Sequence, residues 1–543
     1  MILMVSGMED VQMIRVFQYR SGWWLLLSAV MCCGLYADQS GAAKRPNILL
    51  IMSDDMGYSD LGCYGGEINT PALDRLADNG LRYSQFYNAA RCCPTRAALL
   101  TGLYPHQAGM GFMVSGSGIP AYQGFLNDRC VTIAEVLREA GYRTYISGKW
   151  HVGEKRPNWP VDRGFDFSYS LISGASSFFE LSPTRTMAIN DQPYVPKGDD
   201  FYMTDAFTDN AVDFINKHGE DDRPFFLYLS HTAPHWPLHA WPEDIARYRG
   251  KYMCGWDELR RARHKRLIEA GLLDPGWPLT ARDQRVADWT QVSDADKDQW
   301  DLKMAVYAAQ IDRMDQGIGR IVARLEQMGK LDNTLIMFLH DNGGCAEVIN
   351  QGKPGVPAGH RDSFLSYGIG WANASNTPFR LYKHWVHEGG IATPFIVHWP
   401  AMIKQSRISH DVGHIIDIMA TCLDAAGVDY PETFKGQNII PSAGRSLIPS
   451  FKGQDFDSDR PLFWEHEGNR AVRKGHWKLV ARHRQPWELY DLQADRTEMN
   501  DLAEKHPDTV QELAALYEQW AEKCGVLPWQ EFLTRREQWR KKQ

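Results

Sequence analysis

Arg91-Cys92-Cys93-Pro94-Thr95-Arg96 gathers two thiols, a proline and two guanidiniums directly before the apolar run Ala97-Ala98-Leu99-Leu100. Pro94 stands where the first turn of a helix tolerates a missing N–H, so a helix is predicted to start near Cys92. Such a start presents unpaired backbone donors and the positive end of the dipole, which suits a tetrahedral anion. The same residues also fit a buried thiol ahead of an ordinary helix. A second group of candidates lies at the ends of apolar runs. Asp54-Asp55 follows Ile48–Met52, and Asp341-Asn342 follows Leu335–Leu339 closed by His340. Four hard oxygen-bearing side chains suit Ca²⁺ or Mg²⁺ and poorly suit zinc.

Cys92-x-Pro94-Thr95-Arg96, closed by Leu100-Thr101-Gly102, resembles the signature of the type I sulfatases of the alkaline-phosphatase superfamily. Cys92 has the required spacing to Pro94 and Arg96, and Cys93 fills a variable position where that family more often has Ser or Thr. The resemblance implies that a formylglycine-generating maturation enzyme oxidises Cys92 to 3-oxoalanine (formylglycine), whose hydrate is the nucleophile. It further implies that Asp54, Asp55, Asp341 and Asn342 bind one metal ion per site, Ca²⁺ with Mg²⁺ as the alternative, and that modified Cys92 completes the shell. Arg96 would hold the hydrate. Lys149 and His151 match a Gly-Lys-Trp-His motif, Lys149 to bind sulfate and His151 as the base that collapses the intermediate. His235, in Ala-Pro-His-Trp-Pro, and Lys383, in Lys-His-Trp-Val-His-Glu-Gly-Gly, would bind the bridging oxygen, one of them protonating the leaving group. His231, His340, His384 and His387 read as supporting residues.

The implied reaction is hydrolysis of sulfate esters of carbohydrates or aryl alcohols. A divalent cation polarises the sulfuryl oxygens. One hydroxyl of a geminal diol attacks sulfur in line, and the second then expels sulfate by reforming the aldehyde. Two other readings are a phosphonate monoester or phosphodiester hydrolase of the same superfamily and a non-catalytic sulfated-glycan binding protein. The resemblance covers about residues 46–400 through its strong motifs and reaches the C-terminus through weaker ones. Tyr104-Pro105-His106-Gln107-Ala108-Gly109 and 383–394 look most like the arylsulfatase-type bacterial branch.

These candidates need elements to position them. Runs apolar on both faces at 46–52, 224–229 and 334–339 read as buried parallel strands, and carboxylates at their C-terminal ends lie where open α/β sheets bind ligands. A helix opens at Pro71 behind Thr70 and stops at Gly80, and Thr132-x-x-Glu135 is a capping box. Strands are also predicted at 144–146 and 394–397, and a long amphipathic helix at 304–328. The expected class is α/β, a large mixed, mainly parallel sheet sandwiched by helices. From about residue 455, short runs at 470–473, 476–481 and 487–492 predict an antiparallel sheet. A final helix carries Val510, Leu513, Ala514, Tyr517 and Trp520. The expected division is a signal peptide at 1–37, a catalytic domain at 45–454 and a subdomain at 455–543. Irregular stretches at 236–300 and 343–382 are expected to wall the substrate cleft, and the basic tail 535–542 to be solvated.

The chain has 543 residues, 44% hydrophobic and 23% charged, which argues against disorder and against a multispanning membrane protein. Its net charge of −8 excludes a nucleic-acid-coating role, and no stable membrane partner is expected. Arg15 and Arg20 precede the uncharged stretch Gly22–Tyr36, of signal-peptide length, so export to the periplasm or medium is expected. Of ten cysteines, setting aside Cys32, Cys33 and Cys92 leaves seven, an odd number that keeps at least one thiol free.

Overall fold

The computed structural model describes residues 44–542 apart from 219–221 and 458. The expected leader, 1–37, lies outside them. Ten strands form one sheet: β1 (Asn47–Ser53), β2 (Leu81–Tyr87), β3 (Arg143–Lys149), β4 (Phe167–Leu171), β5 (Met187–Ile189), β6 (Gln192–Pro193), β7 (Phe225–Ser230), β8 (Thr334–His340), β9 (Ala392–His398) and β10 (Arg407–His414). Their order is β10-β2-β9-β8-β1-β7-β3-β4-β5-β6. The central run β8-β1-β7-β3-β4 is parallel throughout. Every residue of β1, β7 and β8 is buried, as a strand covered on both faces requires.

Topology brings distant segments to one edge. Ser53 pairs with His340 and Met52 with Ser230, so the chain leaves β1, β7 and β8 at one level. Gly148 pairs with Ser230, which puts the end of β3 beside them. The strand predicted at 394–397 is β9, and it runs antiparallel to both β8 and β2. The segment before β9 therefore arrives where the others depart. β2, reversed again, points its C-terminal end there too and feeds the helix Cys92–Thr101. The α/β class with a mainly parallel sheet holds.

Several elements differ from expectation for identifiable reasons. Thr70 precedes the helix Pro71–Asp78, yet its hydroxyl bonds to Asp74 Oδ1 at 3.0 Å. The free N–H groups of Ala72 and Leu73 go instead to Asp315, at 2.9 and 2.8 Å. The capping box at Thr132 and Glu135 forms in both directions. The long helix is Asp294–Gln327, opened by Ser293 accepting from the Asp296 N–H at 3.2 Å, and its polar first turns carry no apolar period. The stretches expected to be irregular contain the helices Pro242–Ala246, Trp256–Glu269 and Gly368–Ser375. In Trp256–Glu269 the buried stripe includes Arg260 and Arg263, so hydropathy hid it.

After a short ribbon, β11 (Thr433–Phe434) and β12 (Gln437–Asn438), comes an antiparallel sheet of β13 (Leu462–His466), β14 (Asn469–Lys474), β15 (Trp477–Ala481) and β16 (Glu488–Asp491). The short runs at 470–473, 476–481 and 487–492 predict the last three of these strands but not β13. The helix Pro507–Cys524 follows, and then Trp529–Arg540. The basic tail 535–542 continues this helix and is solvated at all but Arg536 and Trp539, which are half-buried. Phe532 is fully buried against Ala121 and Tyr122, and Arg536 bonds to Ser115 Oγ at 2.7 Å. Arg45–Gln543 forms one compact body. Among the described residues every cysteine is a free thiol, and no helix is long and apolar enough to cross a membrane.

Candidate active site

Arg91 is extended at φ −149° and ψ 147°, and Cys92 opens the helix behind it. Thr95 Oγ1 accepts the Ala89 N–H at 2.9 Å and pins the approach to that helix. Gly102 ends it in the left-handed region at φ 68°. Cys92 is 2% exposed. One turn on, Arg96 is wholly buried, with Nη2 2.8 Å from Asp341 Oδ2 and 3.5 Å from Asp54 Oδ2. Its Nη1 reaches Ser230 Oγ, with Tyr228 Oη and the Lys149 carbonyl each at 3.3 Å. Ser230 and Tyr228 lie on β7, and the sequence reading missed both. The signal was there, since 228 and 230 are alternate positions of a strand ending at the site.

Lys149 Nζ donates to Asp54 Oδ2 at 2.6 Å. Across the site, Lys383 Nζ lies 2.7 Å from Asp55 Oδ1 and 2.8 Å from Oδ2. His235 Nε2 lies 3.2 Å from Asp55 Oδ2 and 3.3 Å from Lys383 Nζ. His235 Nδ1 faces the Trp236 carbonyl at 2.6 Å, which puts a proton on Nδ1. Asn342 Nδ2 donates to Asp55 Oδ1 at 2.7 Å. Asp54, Asp55, Cys92, Arg96, Lys149, His151, His235, Asp341, Asn342 and Lys383 are all buried at one end of β1, β3, β7 and β8.

Two buried acceptors, Asp54 Oδ1 and Asn342 Oδ1, have no hydrogen-bond partner among the described residues. Leaving such an atom unpaired costs about 1–3 kcal/mol, and hard oxygen donors of this kind fit a divalent cation. Burial pushes the Asp54 carboxyl upward, but Lys149, His235 and Arg96 outweigh it and hold it well below the usual range. Burial, reinforced by Asp54, pushes Asp341 well above that range. The Cys92 thiol is drawn well down, first by its contact with the Cys93 thiol, then by Lys149 and His151 against burial. Burial lowers His151 to about 4, so its imidazole is a proton acceptor near neutral pH, and burial also lowers His235 against the pull of Asp55. His151 Nε2 lies 3.4 Å from Cys93 Sγ.

Backbone strain concentrates here. Asp55, Ala90, His151, Leu381, His384 and Glu467 all have positive φ without being glycine. Of the neighbouring histidines, His340 Nδ1 lies 2.9 Å from the Met56 carbonyl and His387 Nε2 lies 3.4 Å from Glu488. Both ring nitrogens of His231 lack a hydrogen-bond partner among the described residues. Glu347 was not foreseen. It accepts from Arg91 Nη1 at 3.0 Å and Trp236 Nε1 at 2.9 Å, tying the segments that carry Cys92 and His235.

The profile of the Sulfatase family matches residues 46–428, and that of N-sulphoglucosamine sulphohydrolase, C-terminal, matches 379–523. An uncharacterized sulfatase of Schizosaccharomyces pombe is 35% identical over 531 residues, covering 90% of this chain and 96% of that protein. The arylsulfatase of Klebsiella aerogenes is 35% identical over 443 residues, covering 78% and 94%. The crystal structure of Ps i-CgsB in complex with k-i-k-neocarrahexaose has a TM-score of 0.66 at 26% identity, covering 88% of this chain and 93% of that one. This chain belongs to the sulfatase family and is a sulfuric ester hydrolase.

Proposed function

We propose that this sulfatase is a formylglycine enzyme acting on sulfate esters of carbohydrates or aryl alcohols. In this reading Cys92 is the modified residue, and Asp54, Asp55, Asp341 and Asn342 hold one Ca²⁺, with Mg²⁺ as the alternative. The observation that carries it is the pair of unpartnered acceptors, Asp54 Oδ1 and Asn342 Oδ1, buried among the residues that surround Cys92. When present, a formylglycine hydrate supplies a geminal diol and the cation supplies Lewis-acid charge.

The chain's own residues divide the remaining work. Lys149 and Arg96 are buried cations on the Asp54 side, Lys149 to bind and neutralise the sulfuryl oxygens and Arg96 to hold the hydrated nucleophile in place. His151, held neutral by burial, accepts a proton at Nε2, the nitrogen on the Cys92–Cys93 side. His235 and Lys383 share Asp55 and face the leaving-group oxygen, to which one of them delivers a proton. A carbohydrate substrate is supported by relatives. The N-acetylgalactosamine-6-sulfatase of Canis lupus familiaris is 29% identical over 479 residues, and the Ps i-CgsB structure holds a neocarrahexaose. Export behind a leader at 1–37, modification by a maturation enzyme, and a division into 45–454 and 455–543 belong to the same reading.

Mass measurement of the peptide containing Cys92 tests it, alongside sulfate release from 4-nitrophenyl sulfate before and after chelation. The expected result is an aldehyde in place of the thiol, with turnover that chelator removes and calcium restores. A fully active protein that keeps the thiol at residue 92 overturns it.

A further inference from the structure

The hairpin from β13 to β14 turns through Glu467 and Gly468, with His466 paired to Asn469 across it. Both turn residues have positive φ, 52° and 83°, the backbone of a type I′ turn. That turn favours Asn-Gly, and a glutamate in its first position is strained. Strain of this kind persists where the surrounding structure holds the residue in place.

Glu467 reaches out of its own sheet to the segment that precedes β9. Its Oε2 lies 3.1 Å from His384 Nδ1, and its Oε1 lies 3.7 Å from His466 Nε2. The proton positions follow from Asn469. Its Oδ1 accepts the His483 N–H at 3.0 Å, so its Nδ2 donates to His384 Nε2 at 3.2 Å. The His384 proton therefore sits on Nδ1 and points at Glu467. This leaves His384 no lone pair for a cation, and the group is an oriented carboxylate rather than a metal site.

That carboxylate lies beside the segments that carry Lys383 and Cys92. His384 follows Lys383, and its backbone N–H bonds to the Ala90 carbonyl at 2.8 Å, two residues before Cys92. The charge of Arg91 reaches Glu467, which His384, His466 and Arg91 hold at about 2 despite burial. Asp54, Asp55 and Asp341 are sealed from solvent, whereas the Glu467 and His384 side chains are 26% and 27% exposed.

We propose that Glu467 is a specificity-determining residue whose Oε1 accepts a hydrogen bond from a hydroxyl or amino group on the leaving group beside the sulfate ester. The C-terminal hairpin thereby favours sugar sulfates over aryl sulfates that lack such a donor. This rests on the reading of the Cys92 centre as the place of sulfate-ester cleavage.

The test is Glu467→Asn, which restores the preferred Asn-Gly turn and removes the carboxylate, with Glu467→Gln as the size-conserving partner. Measured quantities are kcat/KM for a panel of monosulfated hexoses, kcat/KM for 4-nitrophenyl sulfate, and Tm. A hydrogen bond to a charged acceptor corresponds to about 10- to 100-fold. The expected result is a sugar-to-aryl ratio at least tenfold lower in E467N, chiefly through KM, with Tm unchanged or raised. E467Q is expected to fall between E467N and the wild type. An unchanged ratio overturns the proposal and leaves the sulfatase centre standing, as does wild-type activity on 4-nitrophenyl sulfate alone. A lowered Tm with parallel losses on both substrate classes makes Glu467 a structural tie and overturns it too. A wild type that cleaves neither substrate class fails the reading beneath it.

Discussion

At the scale of single residues, the site is a problem in charge compensation. Asp54, Asp55 and Asp341 are sealed from solvent, and Arg96, Lys149 and Lys383 are buried against them. Removing one partner strands a buried charge, which costs about 3–5 kcal/mol. Lys149→Met is expected to lose that much stability in chelator and distinctly less in saturating calcium, because a cation on Asp54 Oδ1 takes over the compensation. Urea unfolding in both buffers measures it, and equal losses in the two would argue against a cation at Asp54. The residue types that meet at this sheet edge were legible as motifs. Tyr228 and Ser230 were legible only as alternate positions of a strand that ends at the site, and Glu347 not at all, because a carboxylate that supports an arginine has no spacing rule of its own.

At the scale of elements, period and capping identified what was covered by apolar side chains and missed what was covered by charged ones. β1, β7 and β8 were readable because every position is buried. Trp256–Glu269 was not, because Arg263 fills its buried stripe while paired to Asp60 at 2.6 Å and Glu67 at 2.8 Å. The C-terminal helix shows the same masking. Trp529, Phe532 and Leu533 make an i, i+3, i+4 stripe inside a charged run. Phe532→Ala is expected to cost about 3–5 kcal/mol, read as a lower urea midpoint at unchanged slope. A variant with wild-type stability would mean that the helix is only loosely seated.

At the scale of the whole molecule, the C-terminal sheet is joined to the large sheet through buried ions. Glu388, just before β9, receives Lys478 Nζ from β15 at 2.8 Å and Arg496 Nε at 3.1 Å. Lys478 also reaches Glu498 at 2.8 Å. Acid sensitivity is expected of the same dense interior. Burial lowers His231 and His466 to about 3 and His239 to about 4, against an ordinary value of 6.5. A histidine with a depressed folded pKa takes up its proton on unfolding, so its contribution is present above pH 6.5 and lost as pH falls towards the folded value. Each is worth roughly 3–5 kcal/mol at most, a large part of a typical net stability. Tm is expected to fall steeply between pH 6.5 and 4, and a flat profile across that window would contradict it.

From its sequence alone, this chain declared its family and reaction class and offered the polar side chains that the fold gathers at one sheet edge, because motifs and strand ends are local and survive in one dimension. Only the folded molecule decided that β9 runs backwards, carrying Lys383 and His384 to the strand ends. The same folding aims the hairpin bearing Glu467 at them from the other sheet. Pairing direction and sheet-to-sheet contact are set by the burial of surfaces far apart in sequence, and no local pattern encodes them.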